Sequence, residues 1–283
     1  MTRVESQIQL FVPEDVYVVE QGRHFLDKLQ TINEEGESWG YPFNVVGGEY
    51  LKSRWKRFLD VAVTAGTAPG WVPLVGLGAL AAKLEKPHLP VIYKQLRHGQ
   101  GNELFVMSKI RSQERDTSAL GIIEPTKVGG ILRRSSIDEI PQLLQVLKGE
   151  MSLVGRRPTL DIDFEQFDKW MRIHLPYELA KRQFNFTDEE WTNGGVSGQL
   201  REEVELFADN IRQWSLPLLD DYMKSNNGKP GLTGLHQVLG RRELAHHQRI
   251  LLDRTYEENA SLLVDVAILA RTIPAIVSRK GAR

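Results

Sequence analysis

Residues 133–158 read Arg133-Arg134-Ser135-Ser136-Ile137-Asp138-Glu139-Ile140-Pro141-Gln142-Leu143-Leu144-Gln145-Val146-Leu147-Lys148-Gly149-Glu150-Met151-Ser152-Leu153-Val154-Gly155-Arg156-Arg157-Pro158. Pro141 lacks an N–H and belongs in a first helical turn, so the stretch predicts a helix starting near Asp138. Asp138 is placed to cap free backbone N–H groups, and Glu139 suits the positive helix end. Ile140, Leu143, Leu144 and Leu147 follow at helical spacing as one apolar stripe, and Gly149 is a stop. A second reading uses the same residues chemically. A carboxylate can be a nucleophile or hold a hard divalent cation. Arginine pairs on both sides suit phosphate oxygens, because the guanidinium fork binds them in two places. Alone, the stretch leaves open a capped helix and chemistry on a metal-bound phosphate.

The 283-residue chain has room for one large domain or two small ones. A net charge of -1 argues against an electrostatic nucleic-acid binder. With 26% charged residues and a mean hydropathy of -0.33, a multi-span membrane protein is excluded. The absence of cysteine excludes disulfides and thiolate metal sites. Polar Met1–Leu10 carries no visible secretory signal.

Val61–Ala82 has no charged side chain. A run of ~20 apolar residues is long enough to cross a bilayer. Ala68-Pro69-Gly70-Trp71-Val72-Pro73 interrupts it at its midpoint. Lys52, Arg54, Lys56 and Arg57 precede it, and Lys83 and Lys86 follow it. Basic flanks at both ends place both on the cytoplasmic side. A hairpin entering one leaflet and returning satisfies the break and the flanks. A buried helical hairpin in a soluble core is the alternative on composition.

The central stretch resembles the core of the bacterial sugar transferases, the monotopic polyprenyl-phosphate sugar-1-phosphate transferases (phosphoglycosyl transferases). That family's pattern is an arginine-rich approach, Ser-Leu-Asp-Glu-Leu-Pro-Gln-Leu, an apolar helix, then Lys-Gly-Asp-Met-Ser-Leu-Val-Gly-Pro-Arg-Pro. Ser136–Leu143 and Lys148–Pro158 match it, with Arg156 standing at the pattern's first proline. The family also has a proline-broken re-entrant helix preceded by Lys-Arg and Asp, as Lys56, Arg57 and Asp60 precede the run here. Pro90, Gln95, Arg97, Gly99, Phe105, Lys109 and Arg111 match its β-hairpin block, whose glycine spacing is shorter here. Lys229–Arg242 resembles Pro-Gly-Ile-Thr-Gly-x-x-Gln-Val-x-Gly-Arg, and two glycines around Thr233 read as a tight turn. Asp253, Tyr256, Ser261 and Asp265 match the closing blocks. The resemblance covers roughly two thirds of the chain in ordered blocks, far more than a lone motif.

The resemblance implies an α+β, mainly helical, monotopic membrane protein with a proline-broken re-entrant helix hairpin and a small β-hairpin. Residues 1–50 would be an accessory segment, with a short strand over Asp15–Val19 and a short helix over Gly22–Ile32. Residues 51–86 would form the re-entrant hairpin, 87–160 with 229–283 the catalytic domain, and 161–228 a helical insertion. The insertion carries Trp170, Trp191 and Trp214, and fits a lid or a contact within a homo-oligomer. Residues Glu114–Glu124 read as a polar loop. His236, His246 and His247 do not form a zinc pattern.

The same resemblance implies transfer of a sugar-1-phosphate from a UDP-sugar to a polyprenyl phosphate such as undecaprenyl phosphate. It places the protein against membrane lipid on the cytoplasmic face of the inner membrane, as the first membrane step in building a polysaccharide or glycan. Asp138 is the expected nucleophile. At a reference pKa of ~3.9 it is ionised without a base. Glu139 is the expected ligand of Mg²⁺, which would neutralise the diphosphate. Lys109, Arg111, Arg133, Arg134, Arg157 and Arg241 are the expected phosphate contacts. A catalytically impaired scaffold of the same fold is the alternative, and retention of both acids weighs against it.

Overall fold

The computed structural model describes residues 24–26, 46–114, 124–160, 169–224, 228–239, 244 and 246–277. Helix α1 (Gly47–Leu51) leads into α2 (Arg54–Gly66), whose N-cap Ser53 accepts from the Lys56 N–H. Helix α3 (Ala68–Glu85) follows at a 64° bend. The bend falls at Thr67, earlier than the sequence placed it. Pro69 lies in the first turn of α3, where a missing N–H costs nothing, and Pro73 sits inside the helix. Thr67 Oγ1 donates to the Val63 carbonyl at 2.7 Å, and Trp71 Nε1 donates to the Thr64 carbonyl at 2.9 Å. The Thr64 carbonyl at the break thus gains a side-chain donor.

Strands β1 (Ile92–His98) and β2 (Leu104–Ile110) form the expected antiparallel hairpin, with Arg97 opposite Phe105 and Tyr93 opposite Lys109. Gly101, at φ 64°, turns the connection. Helix α4 (Lys127–Arg134) is capped by Thr126. A 3₁₀ turn (Ile137–Glu139) then carries the acid pair into α5 (Gln142–Lys148), which Gly149 closes at φ 86°.

Two expectations for this region are corrected. Asp138 makes no side-chain cap, because the 3₁₀ turn puts it ahead of the α-helix, whose N-cap is Pro141. The buried face of α5 is Gln142, Gln145 and Val146, whereas Leu144 is 48% exposed. Gln145 explains the inversion. Its Oε1 accepts from the Ser108 N–H at 2.8 Å and its Nε2 donates to the Val106 carbonyl at 2.7 Å, pairing one N–H and one carbonyl on the outer edge of β2.

Strand β3 (Ser152–Val154) pairs in parallel with β4 (Gly231–Thr233). The glycines around Thr233 therefore serve a strand pair, where a tight turn was expected. A Cβ on Gly231 would lie 2.2 Å from the Gly155 N, so a side chain there would push the two chains apart. Helices α6 (Leu175–Phe184), α7 (Asp188–Thr192) and α8 (Gly198–Lys224) fall in the stretch expected to be an insertion, preceded by a π turn over Trp170–His174. They enclose their own apolar cluster of Ala180, Phe186, Val196 and Val204, against which Trp191 packs. The side chains of Trp170 and Trp214 lie outside the described parts. Helices α9 (Leu235–Leu239), α10 (His246–Asn259) and α11 (Leu262–Val277) complete the chain. The architecture is α+β, mostly helical, with one small antiparallel hairpin. Of the N-terminal expectations, 24–26 are helical and the rest lie outside the described residues.

The main core gathers Tyr50, Val146, Met151, Val154, Leu235, Leu252, Tyr256 and Ile268. A polar network runs through it. Lys56 Nζ donates to the Val154 carbonyl at 2.7 Å and to Asp265 Oδ2 at 2.5 Å. Tyr50 and Tyr256 donate to the same carboxylate. Asp60 Oδ1 accepts from Leu153 N and Ser152 Oγ. Arg57 donates to the Val146 and Leu147 carbonyls at the end of α5. The first turns of α2 are thereby anchored in the body that holds the acids.

Beyond that anchor the hairpin is exposed. Phe58, Val72, Leu77, Leu80 and Leu84 each leave more than half their surface uncovered, and on α3 only Trp71 and Gly78 are buried. No single described helix is long and apolar enough to cross a membrane, but α2 and α3 together are. Gly78 is the seat of α3 on the acid-bearing layer. A Cβ there would meet Ile110, Ile137 and Leu132 at 3.1–3.2 Å.

Candidate active site

Ser136 adopts a left-handed backbone at φ 58°, turning the chain sharply from α4 into the 3₁₀ segment. Ile137 points down onto Gly78, and Asp138 is buried at 4% exposure. Glu139 instead lines an open cleft with Arg97, Lys109, Gln142, Arg157 and Gln237. The two adjacent carboxylates thus occupy different environments: one beneath the surface, one at it.

Burial, then the neighbouring Glu139, pushes the Asp138 carboxyl up to about 6, while Lys109 and Arg133 pull the other way. Asp138 is therefore more basic than its reference value suggested, yet still mostly ionised at neutral pH. Burial lowers the Lys109 ammonium, while Glu139 and Asp138 hold it up. A desolvated cation facing two acids is an arrangement typical of functional sites.

The cations foreseen in the sequence divide. Lys109, Arg133 and Arg157 come to the acids or their cleft. Arg133 also donates weakly to Ser112 Oγ at 3.5 Å. Arg134 turns outward and donates to the Gly130 carbonyl of its own helix. Arg111 donates to the Pro90 carbonyl and lines a separate cleft with Glu85, Lys86 and Gln113. Both still lie over Tyr93, with Lys109 Nζ and Arg111 Cζ each 5.4 Å from its ring centroid. Arg241 lies outside the described residues.

Three cleft residues escaped the sequence reading. Arg97 is held by Gln95 Oε1 at 2.8 Å and by the Pro158 carbonyl at 3.1 Å. Strand alternation was the available signal, because Arg97 shares its face with Gln95, Phe105 and Lys109. Gln142 was marked only by its place in the motif. Gln237, whose buried Oε1 has no hydrogen-bond partner among the described residues, had only its motif position to mark it.

Asp253 supports the cleft from behind. Its Oδ2 accepts from the Arg157 N–H at 3.3 Å, and its Oδ1 lies 2.7 Å from His236 Nδ1. Among the described residues no group of three or more His, Asp or Glu side chains is placed to hold a metal. What is present is a carboxylate pair. That suits Mg²⁺, which keeps several waters and takes one or two carboxylates together with substrate phosphates.

An acid pair on a 3₁₀ turn, a cationic strand face and a Gly-Arg-Arg-Pro turn thus meet beside an apolar hairpin. Residues 51–185 and 195–279 match the family described as bacterial sugar transferase, and the chain belongs to that family. The match omits 186–194, within the stretch read as an insertion, where Thr187 and Glu190 form a capping box. The chain is 32% identical, over 80% of its length and 71% of the relative's, to the UDP-glucose:undecaprenyl-phosphate glucose-1-phosphate transferase of Caulobacter vibrioides. It is 30% identical, over 80% of its length, to the undecaprenyl-phosphate glucose phosphotransferase of Komagataeibacter xylinus, of which it spans 36%. It is 29% identical, over 81% of its length, to the UDP-N-acetylgalactosamine-undecaprenyl-phosphate N-acetylgalactosaminephosphotransferase of Aeromonas hydrophila, of which it spans 45%. The chain thus spans less than half of the latter two relatives.

Proposed function

We propose that the protein is a phosphoglycosyl transferase that moves a sugar-1-phosphate from a UDP-sugar to a polyprenyl phosphate. The products are a polyprenyl-diphosphate-linked sugar and UMP. The observation that carries this reading is the buried Asp138 beside cleft-lining Glu139, faced by Lys109 and Arg133. The names of the relatives give the substrate class.

In this mechanism the ionised Asp138 attacks the sugar-bearing phosphorus, and the bond to the UMP oxygen breaks. An aspartyl-phosphosugar forms, and UMP leaves with the electron pair. The polyprenyl phosphate then attacks the same phosphorus and regenerates the carboxylate. Asp138 needs no general base, and its raised pKa improves it as a nucleophile. Lys109, Arg133 and Arg157 bind the phosphate oxygens, where fixed cations stabilise the charge that grows in the transition state. Glu139 would hold Mg²⁺, which when bound would supply Lewis-acid neutralisation of the phosphate oxygens.

The exposed apolar hairpin α2–α3 enters one leaflet from the cytoplasmic side and returns. Lys52, Arg54, Lys83 and Lys86 lie at its two ends. Seating of α3 on Ile137 through Gly78 then holds the acid pair next to the membrane surface, where a soluble donor meets a lipid phosphate. The test is incubation with a panel of labelled UDP-sugars, Mg²⁺ and undecaprenyl phosphate. UMP release from at least one donor, dependent on Mg²⁺, is expected, and no release from any donor would overturn the reading.

A further inference from the structure

Gln142 and Gln145 both lie on the buried face of α5, but their amides differ in what they touch. Gln145 uses both ends of its amide, accepting from Ser108 N and donating to the Val106 carbonyl and Glu150 Oε2. Gln142 is as deeply buried, at 4% exposure, yet its amide has no hydrogen-bond partner among the described residues. A buried amide in that condition loses hydration that it does not recover. Its side chain lines the cleft of Glu139, Lys109 and Arg157. Ile140 and Pro141 keep helical dihedrals, so Gln142 follows Asp138 and Glu139 at four and three residues, the spacings that share a helix face.

Gln237 lines the same cleft. Its Nε2 donates to the Leu232 carbonyl at 3.3 Å, which fixes the orientation of the amide and leaves Oε1 without a partner among the described residues. The cleft therefore offers two kinds of chemistry. Lys109 and Arg157 only donate, and suit phosphate oxygens, which only accept. A carboxamide both donates and accepts, and matches a neutral group that does the same, such as a hydroxyl or a secondary amide. Phosphate oxygens would leave the acceptors of Gln142 and Gln237 unsatisfied. In a UDP-sugar, the sugar is bonded through its C1 oxygen to the phosphorus that Asp138 attacks. Uracil is separated from that phosphorus by the second phosphate and the ribose. The neutral part of the donor that reaches Gln142, one turn from Asp138, is therefore the sugar, whose C2 substituent lies nearest the phosphorus.

We propose that Gln142 is a sugar-binding residue: its unpartnered amide, with Gln237 in the same cleft, takes the C2 substituent of the transferred sugar while the cations hold the diphosphate. The proposal rests on the reading of Asp138 as the nucleophile toward a UDP-sugar.

Gln142→Met in the full chain tests it, because methionine fills similar space without polar groups. UMP release is measured with the UDP-sugar that the natural chain uses best, and with the form of that donor lacking its C2 substituent. UDP, which carries no sugar, is measured as a competitive inhibitor. In Gln142→Met, kcat/KM for the full donor falls about tenfold, the worth of one hydrogen bond between uncharged groups. The inhibition constant of UDP stays within about twofold, since uridine and diphosphate contacts are untouched. In the natural chain, loss of the C2 substituent costs about tenfold, and in Gln142→Met it costs no more than about twofold, the signature of a direct contact. The Tm of the variant equals or exceeds that of the natural chain, because the amide has no partner to lose; an amide with a merely structural role would lower it. An unchanged kcat/KM, a UDP inhibition constant that rises in step with it, or a full C2 effect persisting in Gln142→Met would each overturn the proposal alone. A natural chain that releases no UMP from any donor would overturn the transferase reading, and this proposal with it, before any variant is compared.

Discussion

Lys56 Nζ lies 2.5 Å from Asp265 Oδ2, joining the first helix of the apolar hairpin to α11, the last described helix. Both side chains are at most 5% exposed, and Tyr50 and Tyr256 complete the carboxylate's partners. Removing one member of such a pair leaves an uncompensated buried charge. Lys56→Met is expected to lower unfolding stability by ~3–5 kcal/mol. Urea unfolding in detergent checks this, and a loss below ~1 kcal/mol would mean that the pair does not anchor the hairpin.

The acid pair predicts a pH profile. With the Asp138 carboxyl at about 6, kcat/KM should fall on the acid side with an inflection near that value. Lys109 pulls that value down, so Lys109→Met should move the inflection upward. It should also reduce kcat about 10²–10³-fold, as loss of one fixed electrostatic partner does. An unmoved inflection would separate Lys109 from Asp138.

Stability should respond to pH in the opposite sense from activity. The folded pKa of Asp138 lies above its unfolded value of 3.8. Its contribution to stability is full below that value and is lost as pH rises through about 6. Glu257 contributes with the same sign between 4.5 and about 7. Comparing Tm against pH for the natural chain and Asp138→Asn isolates the first group. The natural chain should lose stability relative to the variant across pH 4 to 6, and parallel curves would contradict the shift.

Gly78 offers a test of how the hairpin bears on the chemistry. Gly78→Leu drives a side chain into Ile110, Ile137 and Leu132, whose atoms already lie 3.1–3.2 Å from a modest Cβ. Overpacking should cost ~1–3 kcal/mol. Displacing Ile137 moves Asp138 with it, and a misplacement of about 1 Å lowers kcat on the order of 10²-fold. Wild-type kcat in a folded Gly78→Leu protein would detach the hairpin from the site.

Much of this was readable in the chain because its signals are local. Alternation marked β1 and β2, Gly149 marked the end of α5, and the acid pair with its flanking arginines marked the chemistry. What escaped depends on contacts between distant residues. The buried face of α5 follows its glutamines because β2 offers Gln145 an unpaired edge, which no periodicity announces. Arg111 and Lys109 looked equivalent two residues apart, and only their surroundings separate them: Arg111 is held by the Pro90 carbonyl, and Lys109 lines the cleft with Glu139. The pairing of β3 with β4 joins segments more than 75 residues apart in sequence, so the glycines beside Thr233 could be read only as a turn. Asp253 gained meaning only once α10 met the turn at Arg157.

The central claim is that Asp138 carries the phosphosugar. Incubating the protein with a UDP-sugar donor and Mg²⁺, with no polyprenyl phosphate present, and then weighing the intact chain tests it most directly. The natural chain should gain the mass of one sugar phosphate, with peptide mapping placing the adduct on Asp138, and Asp138→Asn should gain none. An adduct of the same mass on Asp138→Asn, or UMP release that persists in it, would contradict the account.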